Sequence, residues 1–268
     1  MKPADRSSAT AVKQCCANLY QSDFARLLLG DSFHPGGLKL TERLGQLLQL
    51  GEHSHVLDVA SGRGTSALFL AERFGCTVIG LDYGKHNVET ANGTAAAHGL
   101  SSRVHFEQAD AEQLPFADTS FDAVVCECAF CTFPDKHKAA GEFSRVLRRG
   151  GSVGISDLTR SMDLPKELEG LLAWISCIAD AQPVQNYVDW FHSAGLAPRT
   201  TELHDAALQE MVRQVQAKLL GAEVLVSLKK IDLPGIDFSI ANQMAATALS
   251  VIQQGRLGYA LITAEKAQ

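Results

Sequence analysis

The chain has 268 residues, with 24 Lys and Arg against 30 Asp and Glu and a formal net charge of −6. That balance disfavours a dedicated nucleic-acid binder, which needs clustered cations to neutralise phosphate, and the pairs Arg148-Arg149 and Lys229-Lys230 stand alone. Apolar residues make up 46% and charged residues 20%, without a biased tract or a run of about 18 apolar residues. A cytoplasmic globular protein without a membrane anchor is expected, because the polar start Met1 to Thr10 lacks the apolar region of a signal peptide.

In chain order, residues 11–50 read as helices interrupted at His34-Pro35-Gly36-Gly37, where proline and two glycines stop a helix and turn the backbone. This segment is expected to form an N-terminal helical cap. Short apolar, β-branched runs follow at 55–60, 77–81, 104–108, 123–128 and 152–158, separated by amphipathic stretches, which is the pattern of βαβ units in a parallel sheet. Residues 163–194 read as helical with a break at Gln182-Pro183, the helix at 187–194 preceding a sixth strand at 199–203. A long helix at 206–230, the Leu233-Pro234-Gly235 turn, a helix at 239–254 and a last strand at 258–264 complete the chain. No linker or repeat divides it. The reading is one α/β domain over 1–268, doubly wound around a mostly parallel seven-stranded sheet, with a cap (1–50), a ligand-binding core (51–160) and a helical covering with the last two strands (161–268).

The strongest local signal is Val56-Leu57-Asp58-Val59-Ala60-Ser61-Gly62-Arg63-Gly64-Thr65, a buried strand entering a glycine turn and then a helix. Glycines there permit a sharp bend and close approach of a ligand beyond the strand's carboxyl end. The third position of a dinucleotide fingerprint holds Ala67, which that fingerprint tolerates, so the turn alone leaves a dinucleotide open. Asp82, closing the second strand 18 residues beyond Gly64, is placed to accept two hydrogen bonds from ribose hydroxyls.

Asp58 to Gly64, Asp82, Asp110-Ala111, Phe121-Asp122 and Leu147-Arg148-Arg149-Gly150-Gly151 together resemble the ordered motifs of the class I S-adenosylmethionine-dependent methyltransferases. The resemblance covers about residues 44–159. It implies S-adenosylmethionine as cofactor and S-adenosylhomocysteine as product. It also implies that Gly62 and Gly64 lie under the methionine part, with Asp58 and Ala60 further cofactor-binding positions, that Asp82 holds the ribose, and that Asp110 and the Ala111 N–H meet the adenine. Tyr83 and Cys126 are implied as further cofactor contacts.

The end of the fourth strand, where this class places the reactive methyl group, reads Cys126-Glu127-Cys128-Ala129-Phe130-Cys131. Seven cysteines, an odd number, make reduced thiols the default. Cys128 and Cys131, with Cys15 or Cys16 brought over from the cap, are candidate ligands for a thiophilic acceptor such as trivalent arsenic, in a weaker resemblance to arsenite methyltransferases. Positions where those enzymes carry further cysteines hold Ala60-Ser61 here, and no cysteine follows Cys177. Packing of the thiols as small hydrophobes is the competing reading, with a structural zinc site a third. Glu127 is a candidate to orient an amine or take a proton, His34 a general base or a hydrogen bonder in the cap, and Tyr20 a residue that closes over the sulfonium. Trp174, Trp190 and Phe191 read as core. The acceptor is a small molecule, either a thiol-bound metalloid, a thiol, or a carbon, oxygen or nitrogen centre of a metabolite such as a quinone or amine. A cofactor-binding regulator without catalysis is the non-enzymatic alternative, and either a monomer or a homodimer is compatible with the sequence.

Overall fold

The computed structural model of the chain describes residues 34–168, 178, 180–230 and 237–268. Helix α1 (Leu38–Leu47) leads to β1 (His55–Val59), α2 (Thr65–Phe74), β2 (Thr77–Asp82), α3 (Lys85–Ala97) and β3 (Val104–Gln108). Then come β4 (Phe121–Glu127), a short 3-10 turn (Phe130–Thr132), α4 (Lys136–Val146) and β5 (Leu147–Arg160). The chain ends with α5 (Val184–Ser193), β6 (Leu196–Leu203), α6 (Asp205–Ser227), α7 (Phe238–Gln253) and β7 (Leu257–Lys266). The seven strands form one sheet in the order β3-β2-β1-β4-β5-β7-β6, with β7 antiparallel to both of its neighbours and the remaining pairs parallel. Among the described residues no helix is long and apolar enough to cross a membrane.

Helices cover both faces of the sheet, and strand alternation explains why. Val56, Val78, Val125 and Leu261 share one apolar cluster with residues of α1, α2 and α3; Leu57, Val124, Ile155 and Ile262 share the other with residues of α4, α5 and α7. Successive side chains of a strand point to opposite faces, so β1, β2 and β4, buried on both, read as continuous apolar runs. The same parity puts Asp58, two residues after Val56, on the α2 side. Glu127, two after Val125, falls there as well. Gly80 is paired with Asp58 in the β1–β2 register, which carries Asp82 to this face too.

The two strand starts that differ most from expectation do so for local reasons. β5 begins at Leu147 rather than 152, because its first residue pairs with Phe121 before a register shift at Phe121/Ala123, with Gly150 at φ +74°. β6 begins at Leu196 rather than 199. Pro198 lies within it at a register shift, which an edge strand tolerates because one side of its backbone needs no ladder partner. The expected helical region at 163–194 is described only in part, as a 3-10 turn (Lys166–Leu168) and α5; Trp174 and Cys177 lie outside the described residues, as do Cys15, Cys16 and Tyr20.

The sheet approaches its covering helices closely at glycines. A Cβ on Gly80 would lie 2.2 Å from the ring of Phe106, and one on Gly154 would lie 2.8 Å from Leu44 of α1. Phe106 is buried and also fills the space against Gly64, so its ring cannot step aside. Gly80→Ala therefore overpacks this layer, with an expected loss of about 1–3 kcal/mol in urea unfolding. A variant as stable as the wild type would show that Phe106 is free to move.

Candidate cofactor and substrate site

The chain leaves β1 through a tight turn at the carboxyl edge of the sheet. Ala60 (φ +59°), Gly62 (φ +55°) and Gly64 (φ +85°) all adopt left-handed backbone, and Gly64 caps α2. The Ser61 N–H donates to the carbonyl of Leu81 (2.9 Å), tying the turn to β2, and the Gly64 N–H donates to the carbonyl of Ser61 (2.9 Å). A Cβ on Gly62 would meet nothing within 4 Å, in contrast to the crowding at Gly64. The open side of this loop is therefore at Gly62, where a ligand can approach the backbone.

Asp82 closes β2 and is almost fully buried. Its Oδ2 accepts from the Gly62 N–H (2.9 Å), and its Oδ1 accepts from the Gly84 N–H (2.8 Å) and Asn87 Nδ2 (3.1 Å). Burial raises its carboxyl, and these three donors oppose that rise. Tyr83 is half-buried, with its carbonyl accepting from Gln108 (3.0 Å). Asp110 follows β3, with its Oδ1 accepting from the Glu112 N–H (2.9 Å) next to the buried Ala111. The loop beyond is clamped by Arg145, which donates to the carbonyls of Leu114 (3.0 Å) and Phe116 (2.7 Å) and pairs with Asp118 and Glu142. The Arg145 hydrogen bonds hold the Glu142 carboxyl below its ordinary range.

The dominant electrostatic feature is a set of buried acids at the ends of the central strands. Asp58 is 2% exposed, and its Oδ2 has no hydrogen-bond partner among the described residues; Ser61 Oγ and Asn87 Oδ1 nearby are likewise without one. Burial raises the Asp58 carboxyl well above its ordinary range, and Glu127 and Asp82 add to that rise. Asp157 on β5 is fully buried, accepting from the Cys131 N–H (2.8 Å) and the Leu158 N–H (2.8 Å).

Glu127, at the end of β4, is held on every side. Its Oε2 accepts from Thr41 Oγ1 of α1 (3.0 Å) and Ser66 Oγ of α2 (2.6 Å), and its Oε1 accepts from Ser156 Oγ of β5 (3.2 Å). Ser156 in turn accepts from the Tyr259 hydroxyl (2.8 Å). His34 Nε2 lies 3.5 Å from Glu127 Oε2 and 3.3 Å from Thr41 Oγ1, while Nδ1 faces the Pro35 carbonyl at 3.3 Å. Both His34 nitrogens and both Glu127 oxygens are thus engaged inside the protein. This argues against the expectation that either takes a proton from a substrate, since a general base needs a lone pair open to its substrate.

The three cysteines of the cluster differ in their surroundings. Cys126 is fully buried, and burial together with Asp157, Asp58 and Glu127 raises its thiol well above the ordinary value. Its side chain belongs to the apolar cluster. Cys131, on the 3-10 turn, is also fully buried, in the cluster that Phe130 builds with Phe133, Phe143, Tyr187, Trp190 and Phe191. Cys128 is half-buried just beyond β4 at φ +52°, its N–H donating to the Ser156 carbonyl (2.6 Å). Among the described residues no three His, Cys, Asp or Glu side chains are grouped to hold a metal ion. Cys76 is core, its Sγ donating to the Leu70 carbonyl, and burial lifts its thiol to about 11. Trp190 and Phe191 likewise pack in the core as expected.

The family description "Methyltransferase domain" matches residues 50–195, which include the glycine loop, Asp82, Asp110 and the whole of β4 and β5. The chain belongs to the class I S-adenosylmethionine-dependent methyltransferases. Among its relatives, the methyltransferase GfsG of Streptomyces halstedii is 32% identical over 169 residues, 62% of this chain and 61% of that protein. The 27-O-demethylrifamycin SV methyltransferase of Amycolatopsis mediterranei is 28% identical over 85% of this chain and 83% of its own length. Geranyl diphosphate C-methyltransferase from Streptomyces coelicolor, solved with Mg2+, geranyl-S-thiolodiphosphate and S-adenosyl-L-homocysteine, superposes over 100% of both chains with a TM-score of 0.78 at 16% identity, a likeness of fold.

Within this family frame, several polar residues of the site carry no motif of their own. Ser66, Thr41, Ser156 and Asn87 are ordinary hydroxyl or amide residues in sequence, and only the spacing of Asn87 from Asp82, across the start of α3, offers a local clue. The buried Asp58 yields a prediction. Its folded-state carboxyl titrates above the unfolded value, so in the ligand-free protein it weakens stability once pH rises past about 4. Asp58→Asn should therefore raise the neutral-pH unfolding free energy by about 1 kcal/mol, and the gain should close as pH falls to about 4. A pH series of urea titrations checks this, and a destabilised variant at neutral pH would show that Asp58 already has a partner.

Proposed function

We propose that this chain transfers the methyl group of S-adenosylmethionine to a carbon, oxygen or nitrogen atom of a small metabolite, leaving S-adenosylhomocysteine. The observation that supports this most is the buried acid cluster with the unsatisfied Oδ2 of Asp58 beside the open Gly62 loop. A dinucleotide would bring a diphosphate to this edge, against Asp58, Asp82 and Glu127. A sulfonium cofactor bearing an ammonium group brings positive charge instead, which the same carboxylates attract and which supplies the missing partner.

When bound, the cofactor supplies an electrophilic methyl group. In this reading Asp58 meets the ammonium, directly or through water, and Ala60, Gly62 and Gly64 let the methionine part lie close to the backbone. Asp82 turns toward the ribose from a carboxylate already oriented by Gly62, Gly84 and Asn87. Tyr83, Asp110 and the Ala111 N–H border the adenine. The edge beyond β4, with Cys128 and Ala129 half-buried, faces the acceptor. Methyl transfer from a sulfonium needs an aligned nucleophile about 3–3.5 Å away and little covalent help, so the residues contribute chiefly by orientation and exclusion of water.

The cysteines then serve as packing. A thiol-bound metalloid held by Cys128, Cys131 and a thiol of Cys15 or Cys16 would require the Cys131 sulfur to leave the aromatic cluster around Phe130. Transfer of label from S-adenosylmethionine to arsenite, glutathione and an extract of cellular metabolites decides between these acceptors. Label in an extract metabolite, with Cys128→Ser retaining turnover, is expected. Labelled methylarsenic lost in Cys128→Ser would restore the metalloid reading, and no transfer to any acceptor despite cofactor binding would favour a regulator. Asp82→Asn is expected to weaken S-adenosylhomocysteine binding about 10- to 100-fold by calorimetry, because a charge-assisted pair of hydrogen bonds is lost. Unchanged affinity would remove Asp82 from the cofactor site.

A further inference from the structure

Glu127 and His34 stand outside the motifs that define the cofactor site, 93 positions apart in sequence, yet they meet in its wall. Glu127 receives Ser66 from the first turn of α2, directly after the Gly62–Gly64 loop, and Thr41 from the first turns of α1 on the same oxygen. On its other oxygen it receives Ser156 of β5, its neighbour in the β4–β5 register, backed by Tyr259 of β7. Five elements therefore converge on one carboxylate: α1, α2, β4, β5 and β7. The Glu127 side chain is 4% exposed and that of His34 is 6% exposed, so these contacts are made away from water.

His34 closes this group on the side of α1: its Nε2 lies 3.3 Å from Thr41 Oγ1 and 3.5 Å from Glu127 Oε2, and its Nδ1 faces the Pro35 carbonyl at 3.3 Å. The backbone supports this placement, since Gly36 (φ +76°) and Gly37 (φ +53°) turn the chain so that His34 folds back over the start of α1.

We propose that Glu127 is a positioning residue of the cofactor loop, which through Ser66, Thr41 and His34 joins the first turn of α2 to the entry of α1, so that cofactor binding at one orders the other. This rests on the reading that S-adenosylmethionine lies on the Gly62–Gly64 loop. It differs from a base or acid role, in which Glu127 or His34 would touch the acceptor. It also differs from simple core stability, because it demands that a ligand bound at Gly62 be felt at Thr41.

The test is hydrogen–deuterium exchange of the full-length protein with and without saturating S-adenosylhomocysteine, alongside calorimetric affinities, for wild type, Glu127→Gln and Thr41→Val. An amide at position 127 keeps the shape but places an NH2 group against a hydroxyl that already donates, whichever way it is flipped. Thr41→Val is isosteric and removes a single donor, so it serves if the Gln variant folds poorly. In the wild type the ligand should slow exchange both in peptides covering 60–68 and in peptides covering 34–44. In Glu127→Gln the affinity should fall about tenfold, with protection at saturation retained over 60–68 and lost over 34–44; Thr41→Val should move the same way by a smaller factor. Variants that bind within about twofold of wild type and still transmit protection to 34–44 would overturn the proposal while leaving the cofactor reading intact. Failure of the wild type to bind S-adenosylhomocysteine would instead overturn the cofactor reading, and this proposal with it.

Discussion

Burial of four carboxylates at one edge of the sheet is the constraint around which this molecule is organised. Asp58, Asp82, Glu127 and Asp157 all lie at the carboxyl ends of the central strands, shielded from water by the helices that cover the sheet. Each is costly in isolation, and the fold offsets that cost unequally. Asp82 has three donors and Asp157 two backbone N–H groups, while Glu127 has three hydroxyls and an imidazole. Asp58 alone keeps an oxygen with no partner among the described residues. In the proposed reading, the cofactor's ammonium group supplies the partner that this oxygen lacks.

The rest of the architecture serves to hold these groups in place. Parallel strands buried on both faces fix the spacing of Asp58, Asp82 and Glu127 through the register, because residues two apart on a strand share a face. Close approaches at Gly80 and Gly64 let Phe106 wedge the glycine loop against β2 and α3. On the opposite face, Phe130 and its aromatic neighbours pack around the segment after β4, with Cys131 buried in the same cluster and Cys128 half-buried at its border.

Much of this was legible in the sequence, for reasons that can be named. The seven strands announce themselves as short β-branched runs because most are buried on both sides, and the glycine turn stands out because left-handed backbone at 62 and 64 selects glycine. The start of β6 was obscured by Pro198, a residue that argues against a central strand but is compatible with an edge. The surroundings of the cysteines were not legible: Cys126 and Cys128 have the two-residue spacing of one strand face, whereas the strand ends at Glu127, Cys128 takes a left-handed conformation, and Cys131 on the following turn is buried. The group around Glu127 was beyond reach: His34, Thr41, Ser66, Ser156 and Tyr259 are scattered over more than 200 residues and are joined only by tertiary packing.

The most direct measurement is a calorimetric titration of the ligand-free protein with S-adenosylmethionine and, side by side, with a nicotinamide dinucleotide, repeated in two buffers of different ionisation enthalpy. Saturable binding of S-adenosylmethionine, accompanied by proton release as Asp58 ionises against the incoming cation, and no binding of the dinucleotide, is the predicted result. Binding of the dinucleotide, or of S-adenosylmethionine with no dependence on buffer and none on the replacement of Asp58 by Asn, would contradict the claim that the buried acids select the cofactor by charge.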